Sequence, residues 1–246
     1  PIPIASARRA APAMESGSAW SHDPMLMCIS DVLERGEVQK IRAGIAESTF
    51  SDGRRTAGYR AKRVKNNLQM DRAAPAAKDI GNLVLAALRR NPVFQRAFLP
   101  KSLRPPMISR YEVGMDYGLH VDDALMGSSP RTRSDISLTV FLNDPADYDG
   151  GELVMASPFG EQEIKLPAGA AVVYPSSTLH RVIPVTRGER LAAVTWAQSH
   201  VRDAARRELL YEVFQMREKL AKLDPDGAET DLAFKAYANL LRMWSD

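Results

Sequence analysis

Between residues 105 and 200 the chain breaks into short β-type runs, and no helical period interrupts them. The runs read MISRYEV, DISLTVFLN, GELVMA, QEIKL, AAVVYP, HRVIPV and RLAAVTWAQS. Turn-forming clusters separate them: DPADYDGG at 144–151, SPFGE at 157–161, PAG at 167–169 and TRGE at 186–189. Repeated short strands with such punctuation predict an antiparallel sandwich or jelly roll. Parallel strands need long, usually helical crossovers, so the pattern argues against a parallel α/β sheet for this stretch.

The flanks have a different period. Residues 25 to about 100 read as mixed and helix-rich, after a short strand at MLMCI (25–29). A helix is predicted over Glu37–Ser48, with Val38, Ile41 and Ile45 on one face, and another over Ala76–Arg90. Pro92 interrupts the second, and NPVFQRAFL adds one short turn. After His200, Ala205, Leu209, Val213, Met216 and Leu220 form one apolar stripe, of a kind that more often faces a core than an interface. DPDG at 224–227 breaks that helix, and Leu232–Trp244 forms a last one.

The expected fold class is therefore α+β, with no internal repeat. A domain spans 25–200, with a helical lead-in over 25–104 and a β core over 105–200. Helices in 201–246 pack on that core. Residues 1–24, rich in Ala, Pro and Ser and lacking a continuous apolar segment, read as a disordered leader or cloning remnant and not as a signal peptide. His22 lies there and receives no role.

Composition narrows the chemistry. Cys28 is the single cysteine, so an intrachain disulfide and a Cys-based zinc site are excluded, and a reducing, cytoplasmic setting is expected. No apolar run approaches the ~20 residues that span a bilayer. The formal net charge is +3, and much of the basic excess sits in Arg54, Arg55, Arg60, Lys62, Arg63 and Lys65. That stretch is either a solvated surface or an attractor for an anionic substrate or nucleic acid. Tyr59 is its one aromatic, which disfavours nucleic acid as the partner.

Four histidines are present, and two of them suggest a metal site. His120 and Asp122 form an H-x-D pair in GLHVDD; in a strand, residues i and i+2 face the same way. His180 opens another strand sixty residues later. Two imidazoles and one carboxylate form the ligand set of non-haem iron(II) oxygenases and leave coordination positions open. Alone, the pair is common by chance and His180 could be a packed core residue. Arg190, ten residues further on, adds a guanidinium able to grip a dicarboxylate with two parallel hydrogen bonds. A simple hairpin through TRGE would leave Arg190 roughly 16 Å from His180, at about 3.3 Å per residue. Placing the two strands in opposite sheets removes the difficulty.

The segment RYEVGMDYGLHVDD (110–123), with DISLTVFLND, DYDGGELVM and KLPAGAAVVYPSSTLHRVIPVTRGERLAAVTWAQSHVRD, resembles the bacterial PKHD-type hydroxylases. These form part of the prolyl 4-hydroxylase-like branch of the Fe(II)/2-oxoglutarate dioxygenases. The likeness extends from VKNNLQ (64–69) to the final helices and covers nearly everything after residue 25. It implies a double-stranded β-helix core with the metal at its open mouth. His120, Asp122 and His180 match the family's iron ligands, and Arg190 matches the arginine that pairs with the distal carboxylate of 2-oxoglutarate. Tyr111 stands, with a one-residue offset, where related prolyl hydroxylases place a tyrosine near that carboxylate.

The resemblance further implies Fe(II), 2-oxoglutarate and O2 as cofactor and co-substrates, with ascorbate as an optional reductant. The expected reaction is hydroxylation of a C–H bond, with release of succinate and CO2. LAAVTW follows Arg190, without the second arginine of DNA-repair relatives, so nucleic acid loses support again. Asn66 and Asn67 are candidates to line the substrate entrance, since amides offer donors and acceptors. Tyr117 and Trp196 are expected in the core or pocket wall, and His200 at the surface. Gly150 and Gly151 are expected to permit a tight turn. Two rivals predict different behaviour: a sensor would bind iron and 2-oxoglutarate without making succinate, and a structural cupin-like protein would use His120 for stability alone. Whether the substrate is a peptide or a small molecule, and the oligomeric state, are left open by the residues.

Overall fold

The computed structural model of the chain describes residues 26–157 and 160–246. The expected leader at 1–24, His22 included, lies outside them, as does part of the SPFGE turn.

In chain order the strands and helices are β1 (Met27–Ile29), α1 (Arg35–Ala46), β2 (Phe50–Asp52), β3 (Lys65–Asn66), β4 (Leu68–Met70), α2 (Ala77–Arg90), α3 (Pro92–Phe98), β5 (Pro100–Leu103), β6 (Met107–Tyr111) and β7 (Asp116–His120). The strands continue with β8 (Leu125–Met126), β9 (Thr132–Arg133), β10 (Ile136–Phe141), β11 (Asp149–Gly150), β12 (Leu153–Ser157), β13 (Gly160–Ile164) and β14 (Ala171–Pro175). Last come β15 (His180–Val182), β16 (Val185–Arg187), β17 (Arg190–Ser199), α4 (Ala204–Leu223) and α5 (Ala228–Trp244).

Two antiparallel sheets carry the structure. The larger runs β1-β14-β10-β17-β6-β4-β2, with β5 pairing the end of β17; the smaller runs β13-β12-β15-β7-β3. Their inner faces meet: Tyr111, Phe141, Val172 and Tyr174 of the larger sheet pack on Leu153, Met155, Ile164 and Val182 of the smaller. Every residue of β10 is buried because both of its faces are covered. Ile136, Leu138 and Val140 turn toward the helices. Ser137 and Thr139, on the other pleat, are polar yet buried, which marks the inter-sheet side as more than packing.

The helices α1, α2 and α3 close the outer face of the larger sheet through Ile41, Ile45, Ile80, Val84, Leu88, Phe94 and Phe98. Asn91 caps α3 by accepting from the Phe94 amide, and Pro92 at the first helical position has no N–H to satisfy. Lead-in strands β2, β3 and β4 were not anticipated. They are two or three residues each, too short to show alternation, and owe their existence to pairing: β3 with β7, β4 with β6, and β2 with β4.

The C-terminal helices correct the predicted stripe. Leu209 and Met216 are 44% and 54% exposed, and Ala205 is exposed too. Of the stripe, Val213 does pack inward, and α4 turns Arg207, Leu210, Phe214 and Arg217 in with it. Arg207 is buried and donates to the carbonyls of Val201 and Arg202, while Arg217 lies 4.1 Å from the Tyr237 ring centroid. Hydrophobic periodicity misses this face because arginine stems and stacked guanidinium planes fill it. Val201, Leu210 and Tyr237 form its buried centre, with Leu99 packed against them from the end of α3. No described helix is long and apolar enough to cross a membrane.

Candidate metal centre

His120 and His180 are register partners where β7 pairs β15, and a β-bulge follows before Val182 meets Tyr117. Pairing across adjacent strands brings together side chains sixty residues apart in sequence. The ring centroids are 4.2 Å apart, and both residues are buried. His120 Nδ1 contacts the Gly118 carbonyl at 2.9 Å, and His180 Nδ1 contacts the Thr178 carbonyl at 2.9 Å. A carbonyl only accepts, so each contact selects the Nδ1–H tautomer and leaves Nε2 with a free lone pair.

Asp122 faces both nitrogens: Oδ1 is 4.0 Å from His120 Nε2 and Oδ2 is 4.0 Å from His180 Nε2. One donor atom from each of the three residues lies within 4.8 Å of the others, so the trio could hold one metal ion. The carboxylate is clamped from the larger sheet. Trp196 Nε1 donates to Oδ2 at 2.9 Å, and Ser137 Oγ donates to the same oxygen at 2.5 Å, with Ser176 Oγ 2.8 Å behind it. Oδ1 accepts no hydrogen bond from any described residue. Tyr117 stacks on His120 at 3.6 Å, and the Tyr174 ring meets His180 edge-on at 5.1 Å. Burial, helped by the neighbouring His180, lowers the His120 pKa to about 4.

A cavity of about 460 Å³ opens beside the triad and runs between the sheets. At its inner end, Arg190 is the register partner of Tyr111 in β17–β6 and is 1% exposed. Its guanidinium carbon is 5.1 Å from the Tyr111 ring centroid and 5.4 Å from that of Phe141. No carboxylate among the described residues pairs with Arg190, and its Nε has no hydrogen-bond partner. His180 lies in the smaller sheet and Arg190 in the larger, so the two strands do occupy opposite sheets and not a simple hairpin. Gly151 lets the wall approach: its φ is +68°, and a Cβ there would stand 3.1 Å from Arg190 Cδ. Burial raises the Tyr111 hydroxyl pKa, against the pull of Arg190.

The expected site residues are not all together. His120, Asp122, His180, Arg190, Tyr111 and Asn67 line the cavity, as do Tyr117 and Trp196. Asn66 is not in the lining and donates to the Gly114 carbonyl at 3.2 Å. His200 is exposed. The Asn67 amide, 3% exposed, lies near the Tyr111 hydroxyl without a hydrogen bond of good geometry. Lys65, read from the sequence only as part of a charge run, turns inward with its ammonium 5.0 Å from the Tyr117 ring centroid. The alternation of Lys65 and Asn67 on one pleat was the available signal.

Comparison with known proteins agrees with this geometry. Residues 106–198 match the family model described as the 2OG-Fe(II) oxygenase superfamily. A PKHD-type hydroxylase from a Synechococcus species is 50% identical over 223 residues, covering 90% of this chain and 100% of that protein. Another, from Thioalkalivibrio sulfidiphilus, is 49% identical with the same coverage. Among solved structures, the prolyl hydroxylase of Trichoplax adhaerens in complex with a hypoxia inducible factor peptide fragment superposes with a TM-score of 0.51. That likeness is one of fold, at 17% identity over 70% of this chain and 82% of that one. The chain belongs to the PKHD-type hydroxylases.

Proposed function

We propose that this chain hydroxylates a C–H bond of a small molecule or peptide residue, using Fe(II), 2-oxoglutarate and O2 within a double-stranded β-helix. In this reading residues 25–200 form the catalytic domain and 201–246 its helical extension. His120 Nε2, His180 Nε2 and Asp122 Oδ1 hold the metal, and Arg190 with Tyr111 receives the distal carboxylate of 2-oxoglutarate. The bound iron supplies oxygen activation, with the balance R–H + 2-oxoglutarate + O2 giving R–OH + succinate + CO2. Ascorbate is an auxiliary reductant at most.

The donor set fits the metal, since two neutral imidazoles and a carboxylate suit Fe(II). The observation that carries the co-substrate is Arg190. A buried guanidinium without a counter-ion is costly to keep, and a dicarboxylate entering the cavity would supply the missing anion. The remaining residues orient and exclude. Trp196 and Ser137 fix the carboxylate plane, the two backbone carbonyls fix the imidazoles, and Tyr117, Tyr174 and Leu153 keep water from the inner end. Membership among hydroxylases favours turnover over a sensor that only binds.

The test is anaerobic addition of Fe(II) and then 2-oxoglutarate to the metal-free protein, followed by visible absorbance. A weak charge-transfer band should appear, vanish in His180→Ala and weaken in Arg190→Ala. Iron binding without any band would sink the oxygenase reading.

A further inference from the structure

Besides Arg190, the cavity lining holds one more buried cation, which the reaction above does not use. Lys65 is 5% exposed, lines the cavity beside the triad, and makes no hydrogen bond or ion pair through its ammonium with any described residue. Its nearest attraction is the Asp122 carboxylate, already engaged by Trp196 and Ser137 and facing the imidazoles. With the Tyr117 ring and the more distant Asp52 as its other favourable neighbours, this buried ammonium lacks a direct counter-ion, and an anion entering the cavity would supply one.

Charge around it points the same way. The lining carries Lys65, Arg72, Arg104, Arg131 and Arg190 against the carboxylates of Asp122 and Asp123. Iron(II) and the 2-oxoglutarate dianion cancel, so loading the site leaves that positive balance unchanged. Both carboxylates of 2-oxoglutarate are accounted for, one by Arg190 and one by the metal. Beyond Lys65 the mouth is apolar as well as basic, with Val121 and Leu125 lining the cavity while about half exposed.

Resting on the hydroxylase reading, we propose that the substrate is an amphiphilic carboxylate: Lys65 receives its carboxylate beside the metal, and Val121 and Leu125 hold its apolar part. One ammonium, with the unpaired Asn67 amide on the same pleat, suits a carboxylate better than a phosphate, which would ask for more donors. The carboxylate belongs either to a free small-molecule acid or to an acidic side chain of a peptide.

The test uses Mn(II) in place of iron and saturating 2-oxoglutarate, and reads proton relaxation of added probes, which a nearby Mn(II) enhances. The probes are hexanoate against hexanamide, and acetyl-Leu-Glu-Leu-amide against its Gln counterpart. At least one acid should show about tenfold more enhancement than its neutral partner in the wild type. The acid that does so identifies the source. Lys65→Met and Lys65→Gln should erase the difference and leave 2-oxoglutarate affinity unchanged. Equal enhancement of acids and amides in the wild type, a comparison that needs no variant, overturns the proposal. So does a preference that survives both variants, because the acid would then sit on the metal. Loss of 2-oxoglutarate affinity in the Lys65 variants overturns it too, by assigning Lys65 to the co-substrate. Failure of Mn(II) or 2-oxoglutarate to bind at all would instead sink the underlying hydroxylase reading.

Discussion

Trp196 and Asp122 are joined across the two sheets by a 2.9 Å hydrogen bond from the indole nitrogen to carboxylate Oδ2. The bond leaves Oδ1 free and fixes the direction in which it points. Trp196→Phe keeps most of the ring and removes the donor. Metal affinity should fall about 10–100-fold, measured by Mn(II) or anaerobic Fe(II) titration. Stability of the metal-free protein should change by no more than about 1 kcal/mol. Unchanged affinity would show that the indole is wall only.

Arg190 sets stability against binding. In the metal- and co-substrate-free protein its charge is buried without an anion, so Arg190→Met should raise unfolding stability by about 1–3 kcal/mol. The same variant should lose the 2-oxoglutarate-dependent visible band. Denaturant midpoints and the anaerobic titration check the two halves separately, and a destabilised variant would contradict the account of an uncompensated charge.

The depressed pKa of His120 fixes a pH dependence. The folded value is about 4 against an ordinary 6.5, so between these values the unfolded chain holds a proton that the folded one does not. Acidifying the metal-free protein from pH 6.5 toward 4 therefore favours unfolding, by on the order of 1–3 kcal/mol. That stability is fully present above pH 6.5. His120→Gln should flatten the slope relative to wild type in urea midpoints recorded across this window; parallel slopes would show that the imidazole is not held neutral.

Gly151 tests how tightly the inner end is built. Its φ of +68° disfavours any side chain, and a Cβ would meet Tyr148, Arg190 and Val185 at 3.0–3.1 Å. Gly151→Ala should destabilise by about 1–3 kcal/mol and weaken 2-oxoglutarate binding by displacing Arg190. Loss of stability with unchanged co-substrate affinity would mean the strain is relieved away from the arginine.

Much of the site was legible because its parts are local or chemically distinctive. His120 ends β7 and Asp122 stands two residues further on, just past the strand, and Arg190 fits through the opposite-sheet placement that removes the hairpin difficulty. The β segments after residue 105 stood out because turn clusters bound each one. What stayed hidden depends on pairing between distant strands. Nothing local says that Ser137 and Trp196 converge on one carboxylate oxygen, and nothing in a run of basic residues singles out Lys65 as the one turned inward. The short strands at 50–70 were hidden for the same reason. The stripe on α4 misled because arginine carries no hydrophobic signal, although Arg207 and Arg217 pack more closely than Leu209 and Met216.

β3 lies at the rim of the smaller sheet, bonded to β7 alone, whereas β15 and β7 have neighbours on both sides. A rim strand answers to one neighbour and tolerates rewriting that an interior strand would not. Lys65 and, just beyond it, Asn67 are carried there, apart from the histidines. A lineage of such proteins could thus exchange what it acts upon by revising a few residues at one border, while the apparatus in the interior is inherited untouched.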